Sequence, residues 1–214
     1  MATISYTPDR TGLLLLDPYN DFFSEGGKLW PLLKEVAEEV HLHDHLREIL
    51  AAVRAVNIQV FIVPHHRFSG PDDYAKWKHM NHDQIGSKDK QLFALGTWGG
   101  EWHPDFAPQR GDIIIKEHWG QSGFANTDLD LQLKQHGIEN VICVGMVANT
   151  CIESTARFAM ELGYHVTLVK DATAAFSRER MQAAHELNGP TFAHAILTTR
   201  DLVSSLRNSG MGLK

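Results

Sequence analysis

Three residues able to do chemistry each lie at the end of a short apolar run. Asp17 follows the four leucines 13–16, Lys116 follows the three isoleucines 113–115, and Cys151 lies a short turn beyond the apolar run 141–145. In an open parallel sheet the carboxyl ends of the strands line a shared crevice, and ligands bind there. An acid, an amine and a thiol delivered to one crevice make a nucleophile with a base and a charge partner. The pattern points to covalent chemistry by Cys151.

The stretch VICVGMVANTCIESTARFAMELGYHV reads as strand, turn and helix, with Gly145 ending the strand and Asn149 or Thr150 available as a cap. Backbone amides at a helix N-terminus favour negative charge, so a cysteine there is expected to have a lowered pKa. The same amides could hold an oxyanion. The plainer reading is a buried, inert thiol, and position alone leaves the two even. Asp17 is either a cap or structural ion pair, or the base that takes the thiol proton and returns it to a leaving group. Lys116 requires a counter-charge, and pairing it with Asp17 satisfies both, because an unpaired buried charge is costly.

The elements that must position these groups alternate along the chain. Short runs rich in Val, Ile and Leu predict strands over 12–17, 58–64, 112–116, 141–145, 165–170 and 194–198. Helical patterns fall between them, over about 32–56, 128–136, 150–162, 179–188 and 200–208. Leu46, Ile49, Leu50 and Val53 mark one helical face, and Gly137 and Gly163 sit where helices should stop. Strand then helix, repeated, predicts a three-layer α/β/α sandwich around a mostly parallel six-stranded sheet. Residues 67–110 break the pattern and carry Trp77, Phe93, Trp98, Trp102 and Phe106. A long irregular segment in a compact domain is usually functional, so it reads as a partly helical lid or oligomer contact. A packed excursion with aromatic anchors is the equal alternative.

Bulk properties exclude several classes. The chain has 214 residues, which suits a single domain, and a formal charge of -6 with no basic stripe, which argues against nucleic acid as a partner. No apolar stretch reaches the roughly 20 residues that span a bilayer, and no signal peptide is evident, so a cytoplasmic protein without a membrane partner is expected. Cys143 and Cys151 are the only cysteines, too few for a disulfide framework, and Cys143 inside an apolar strand reads as a small buried hydrophobe. The thirteen histidines are dispersed and do not by number make a metal site.

Taken together, three segments resemble the isochorismatase-like cysteine hydrolases, which include nicotinamidases, N-carbamoylsarcosine amidohydrolases and ureidoacrylate amidohydrolases. They are Leu-Leu-Asp17-Pro-Tyr-Asn-Asp-Phe; Lys116 with Ser122-Gly-Phe124 and Thr127-Asp-Leu; and Gly145-Met-Val-Ala-Asn-Thr-Cys151. Gly163-Tyr-His-Val and Asp171-Ala-Thr follow, so the likeness runs from about residue 12 to 200. It implies one such domain over 1–214, an Asp17–Lys116–Cys151 triad, a cis peptide between Met146 and Val147, and an oxyanion hole from the backbone N–H groups of Val147 and Cys151. It also implies a homo-oligomer, a dimer or tetramer, acting on a small molecule without a cofactor.

The implied activity is cleavage of a small amide, carbamoyl or ureido substrate through a thioester on Cys151. The alternatives are hydrolysis of a vinyl ether, as in true isochorismatases, a noncatalytic binding protein of the same fold, and, more weakly, a redox thiol. The presence of Cys151 favours the amide reading. Nicotinamidases carry an Asp-x-His metal pair after the second strand, whereas Pro64 stands here in the aspartate's place. A metal held by His66, His79 and His82 is a minority reading, and no metal is expected. Arg67 could bind a substrate carboxylate, although a salt bridge is its plainer role. Tyr19, Asn20, Phe23, His66, Trp119 and Phe124 flank the triad positions and are expected to line the substrate pocket.

Overall fold

A computed structural model describes residues 5–211, with side chains to residue 207. Among the described residues there are six strands: β1 (Thr11–Leu16), β2 (Gln59–Val63), β3 (Ile113–Ile114), β4 (Asn140–Met146), β5 (His165–Ala174) and β6 (Ala195–Leu197). They form one sheet in the order β3-β2-β1-β4-β5-β6, with every pair parallel. The order reverses direction at β1, and β1 and β4 are neighbours there, so their carboxyl ends open the crevice that such a switch point provides.

The strands are apolar on both faces because helices cover both. Alternate residues of β1 and β4 face opposite layers. Leu13, Leu15, Ile142 and Val144 join one core, while Leu14, Leu16, Val141 and Cys143 join the other. The first core is closed by α2 (Trp30–Glu39), α3 (Leu42–Ala55) and α8 (Thr199–Met211), following the short helix α1 (Asn20–Phe23). The second is closed by α5 (Leu129–Gln135) and α6 (Glu153–Glu161). The expected three-layer sandwich is therefore formed. Leu46, Ile49, Leu50 and Val53 are the buried face of α3, and Gly137 and Gly163 end helices with φ of 69° and 92°.

Some boundaries differ from expectation for local reasons. The helix expected over 32–56 is two helices, because His41 takes a left-handed φ of 51° between them. The helix expected over 179–188 is α7 (Arg178–Gln182) running into a wider π turn, Ala183–Asn188. The aromatic excursion is partly helical, with a 3₁₀ turn at Pro71–Tyr74 and α4 (His82–Lys90), whose Asn81 and Gln84 form a capping box. Asp21 ties this excursion down. Its buried carboxylate accepts the Phe93 amide at 2.8 Å and the Lys28 amide at 3.0 Å. Among the described residues no helix is long and apolar enough to cross a membrane.

Candidate active site

Asp17 is delivered by β1. It adopts a φ of 55° immediately after the strand, its N–H donates to the Val63 carbonyl at 3.1 Å, and its side chain is fully buried. Cys151 is delivered by the turn after β4. There a Cβ on Gly145 would stand 2.4 Å from the Leu16 carbonyl oxygen, and φ is +113°, so only glycine lets β4 pass so close to β1. The Met146–Val147 peptide is cis, and Ala148–Ile152 then form a π turn leading into α6. Cys151 therefore sits in the first turn of a helix, beside the end of β1.

The third group at this point is a histidine, not the expected lysine. The ligating atoms of Asp17, His118 and Cys151 all lie within 4.8 Å of one another, and all three residues are buried. His118 Nε2 is 3.1 Å from Asp17 Oδ1, and its Nδ1 is 2.8 Å from the Gly120 carbonyl oxygen. Lys116 is exposed, and its amide donates to Asp128 at 2.8 Å. The reason lies in the strand register. Phe61 and Ile62 pair with Ile113 and Ile114, but the pairing resumes as a parallel bridge between His65 and His118. Three residues on one side therefore face four on the other, a bulge that carries Lys116 outward. Lys116 also lies two residues after Ile114, itself 52% exposed, so simple alternation turns it away from the buried Ile115.

The electrostatics follow from this set. Burial and the negative charge of Asp17 raise the Cys151 thiol well above its ordinary pKa. The Thr150 hydroxyl, 3.9 Å from the sulfur, and a backbone hydrogen bond from Val147 work the other way without prevailing. The expected depression of the thiol pKa by a helix N-terminus is thus overturned, because loss of water and a neighbouring carboxylate outweigh the local donors. His118 behaves oppositely. Burial lowers its pKa, but the charge of Asp17 and the hydrogen bond to it lift the net value above the ordinary one. A carbonyl oxygen only accepts, so Nδ1 carries a proton toward Gly120. A second proton is then shared between Nε2 and Asp17.

A cavity of about 230 Å³ opens beside Cys151, lined among others by Phe22, His65, Phe93, Trp119, Val147 and Thr150. Residues of α4, including His82, Asp83, Gln84 and Lys90, form one wall, which places the excursion over the site. Burial, with His118 beside it, pushes the His65 pKa down to about 4.

Of the expected pocket residues only Trp119 lines this cavity. Tyr19 is stacked between Phe93 and Trp102, with ring centroids 5.0 and 4.7 Å away. Asn20 is buried and donates to the Trp98 carbonyl at 2.8 Å. Phe23 packs on Phe106, Phe124 lies in the second core, and the His66 ring stacks on Trp119 with centroids 3.5 Å apart. One helical step separates Phe22 from Phe23, so α1 presents only the former to the cavity. Arg67 is paired with Glu117, its Nε donating at 2.6 Å. Burial works to raise the Glu117 pKa, but hydrogen bonds from His66 and Arg67 bring it to about 2. His66, His79 and His82 are not gathered: among the described residues, the metal-ligand donors that converge are those of Asp17, His118 and Cys151.

This fold, with a cysteine, an acid and a histidine at the switch point, matches the Isochorismatase domain model over residues 11–201, and the chain belongs to that hydrolase family. Among curated relatives, ureidoacrylate amidohydrolase RutB of Pantoea ananatis is 29% identical over 198 residues, 88% of this chain and 79% of that protein. The RutB of Agrobacterium fabrum is 28% identical over 207 residues, 92% of this chain and 90% of that protein. Among solved structures, a cysteine hydrolase from Pseudomonas syringae pv. phaseolicola superposes with a TM-score of 0.76 at 25% identity, covering 98% of this chain and 100% of that one. N-carbamoylsarcosine amidase from Thermoplasma acidophilum shares the fold, with a TM-score of 0.62 at 22% identity over 89% of this chain and 96% of that one.

Proposed function

We propose that this hydrolase cleaves a carbon–nitrogen bond, other than a peptide bond, in a small amide, carbamoyl or ureido compound through a thioester on Cys151. The observation that carries the reading is a cluster at one edge of the cavity: Cys151 lines the cavity, and the buried Asp17 carboxylate and His118 imidazole lie within 4.8 Å of its sulfur and of each other. The relatives named for ureidoacrylate point to the same kind of bond.

The thiol is held neutral at rest, so its proton must leave as the sulfur attacks. Asp17 Oδ2 is buried and has no hydrogen-bond partner among the described residues, which leaves it free to accept that proton. The new S–C bond places negative charge on the carbonyl oxygen, for which the amides of Val147 and Cys151 are the donors. Collapse breaks the C–N bond, and Asp17 returns the proton to the departing amine or ammonia. Water then attacks the thioester, giving its proton to Asp17. The acid product leaves, and the proton passes back to the sulfur. His118, with both ring nitrogens protonated, supplies the positive charge that the family resemblance assigned to lysine. It sets that charge beside the Asp17 carboxylate, with Nε2 3.1 Å from Oδ1.

Two further features bear on the substrate. The cavity, at about 230 Å³, is below the usual range for drug-sized ligands, which favours a compact molecule. Lys90 and Arg180 line it and form no ion pair among the described residues, which favours a substrate with an anionic end. The test is an ammonia-release assay over a panel of small amides and ureides, with and without a carboxylate, run on the wild type and on Cys151→Ala. Turnover that vanishes in a folded Cys151→Ala supports the thioester route, and substantial turnover in that variant removes it.

A further inference from the structure

A lysine in the third position could only donate protons, whereas a histidine there also changes what the site can hold. His118 Nδ1 is committed to the Gly120 carbonyl oxygen at 2.8 Å, so Nε2 is the nitrogen turned toward Asp17 and Cys151. A backbone carbonyl on one ring nitrogen is the usual means of fixing the other as a metal ligand. Asp17 contributes a fully buried carboxylate whose Oδ2 is without a hydrogen-bond partner among the described residues. Cys151 contributes sulfur. Thiolate, imidazole and carboxylate are the donor types that suit zinc rather than magnesium or calcium.

We propose that Asp17, His118 and Cys151 form a three-ligand site for a zinc-class divalent ion, and that the ion acts there as a reversible inhibitor of the cysteine. The donor atoms lie within 4.8 Å of one another, with His118 Nε2 and Asp17 Oδ1 3.1 Å apart. Zinc bonds of about 2.0–2.3 Å put tetrahedral ligands about 3.5 Å apart, so the longest separation must close by about one ångström while the His118–Asp17 pair opens by a few tenths. The cavity beside Cys151 leaves a fourth position for water. Binding releases the thiol proton and the proton shared by His118 and Asp17, leaving one thiolate, one neutral imidazole and one carboxylate on the ion. The sulfur lone pair that would attack a carbonyl is then bonded to metal. No step of the proposed hydrolysis uses the ion.

Cobalt(II) reports on the site independently of turnover, because cobalt bound to thiolate gives a charge-transfer band in the near ultraviolet. The chelator-stripped full-length protein is titrated with cobalt chloride. The expected result is one equivalent bound with that band, absent in Cys151→Ala, unchanged in Lys116→Gln, and weakened more than about tenfold in affinity in His118→Gln. Zinc chloride should also block iodoacetamide labelling of Cys151 in the wild type, and EDTA should restore it. A wild type that shows no band with excess cobalt, a band that survives in Cys151→Ala, or a folded His118→Gln that binds as tightly overturns the site. If His118→Gln proves unfolded by circular dichroism, the wild type, Cys151→Ala and the zinc protection decide the matter. A cobalt band in a protein that hydrolyses nothing would leave the metal site standing and remove the hydrolase reading.

Discussion

The two cysteines are eight positions apart, and both belong to the second core. Cys143 is completely buried in β4, and burial alone pushes its thiol up to about 12. Cys151 is nearly as buried, at 6% exposure, and its thiol is also raised. Burial and pKa direction therefore do not separate them. What separates them is company: Cys143 is surrounded by apolar side chains, whereas Cys151 has Asp17, His118 and Thr150 around its sulfur and a cavity in front of it. A thiol becomes a candidate nucleophile when a positioned base can take its proton during attack, even where the thiolate is not formed beforehand.

The largest expected effect breaks this comparison directly. Cys151→Ala should lower kcat/KM by about 10⁴-fold or more, while Cys143→Ala should leave it within about twofold and cost about 1 kcal/mol of stability. Steady-state kinetics and urea unfolding of both variants check this. Equal losses of activity would place the chemistry in the shared core and not at the turn.

The next effect sharpens the role of the company. His118→Gln should reduce kcat by about 10²-fold with little change in KM, while Lys116→Gln should remain near wild type. If Lys116→Gln is the damaging change, the outward placement of that side chain is wrong. A pH profile follows from the same pair. The pKa of His118 is raised above its ordinary 6.5, so its ion pair with Asp17 is fully present below that value. The stabilisation is lost as pH rises through the elevated value. Activity and melting temperature should therefore fall on the alkaline side, and His118→Lys should move that limb to higher pH. An alkaline limb that stays in place in a folded His118→Lys would assign it to another group.

The smallest effect concerns the mouth of the cavity. Lys90→Gln and Arg180→Gln should each raise KM for an anionic substrate by a few-fold, about 1 kcal/mol, without lowering kcat, and should leave a neutral analogue unaffected. A change in kcat alone would argue against a role in binding.

The fold was largely legible because the sheet is buried on both faces. Strands such as 13–16 and 141–145 are unbroken apolar runs, and three-and-four spacing marked α3. Asp17 and Cys151 were legible for the same reason, since each follows a strand that can only be central. Lys116 misled because its strand is an edge strand of two paired residues, and the bulge that follows leaves no mark in apolar pattern. One signal was available: Lys116 shares the alternation of Ile114, not that of Ile115. The pocket was poorly legible because neighbours in sequence, Phe22 and Phe23, point to different surroundings on a helix. The opposite wall also comes from α4, some sixty residues away in a polar segment whose helical face carries no apolar stripe.

The most direct measurement is intact-protein mass spectrometry of the enzyme quenched during turnover of an active amide or ureide, followed by peptide mapping. A transient acyl mass on Cys151, absent from Cys143 and accumulating before the acid product, is the predicted result. Steady turnover with no acyl mass on Cys151 at any quench time, while Cys151→Ala remains active, would contradict the account.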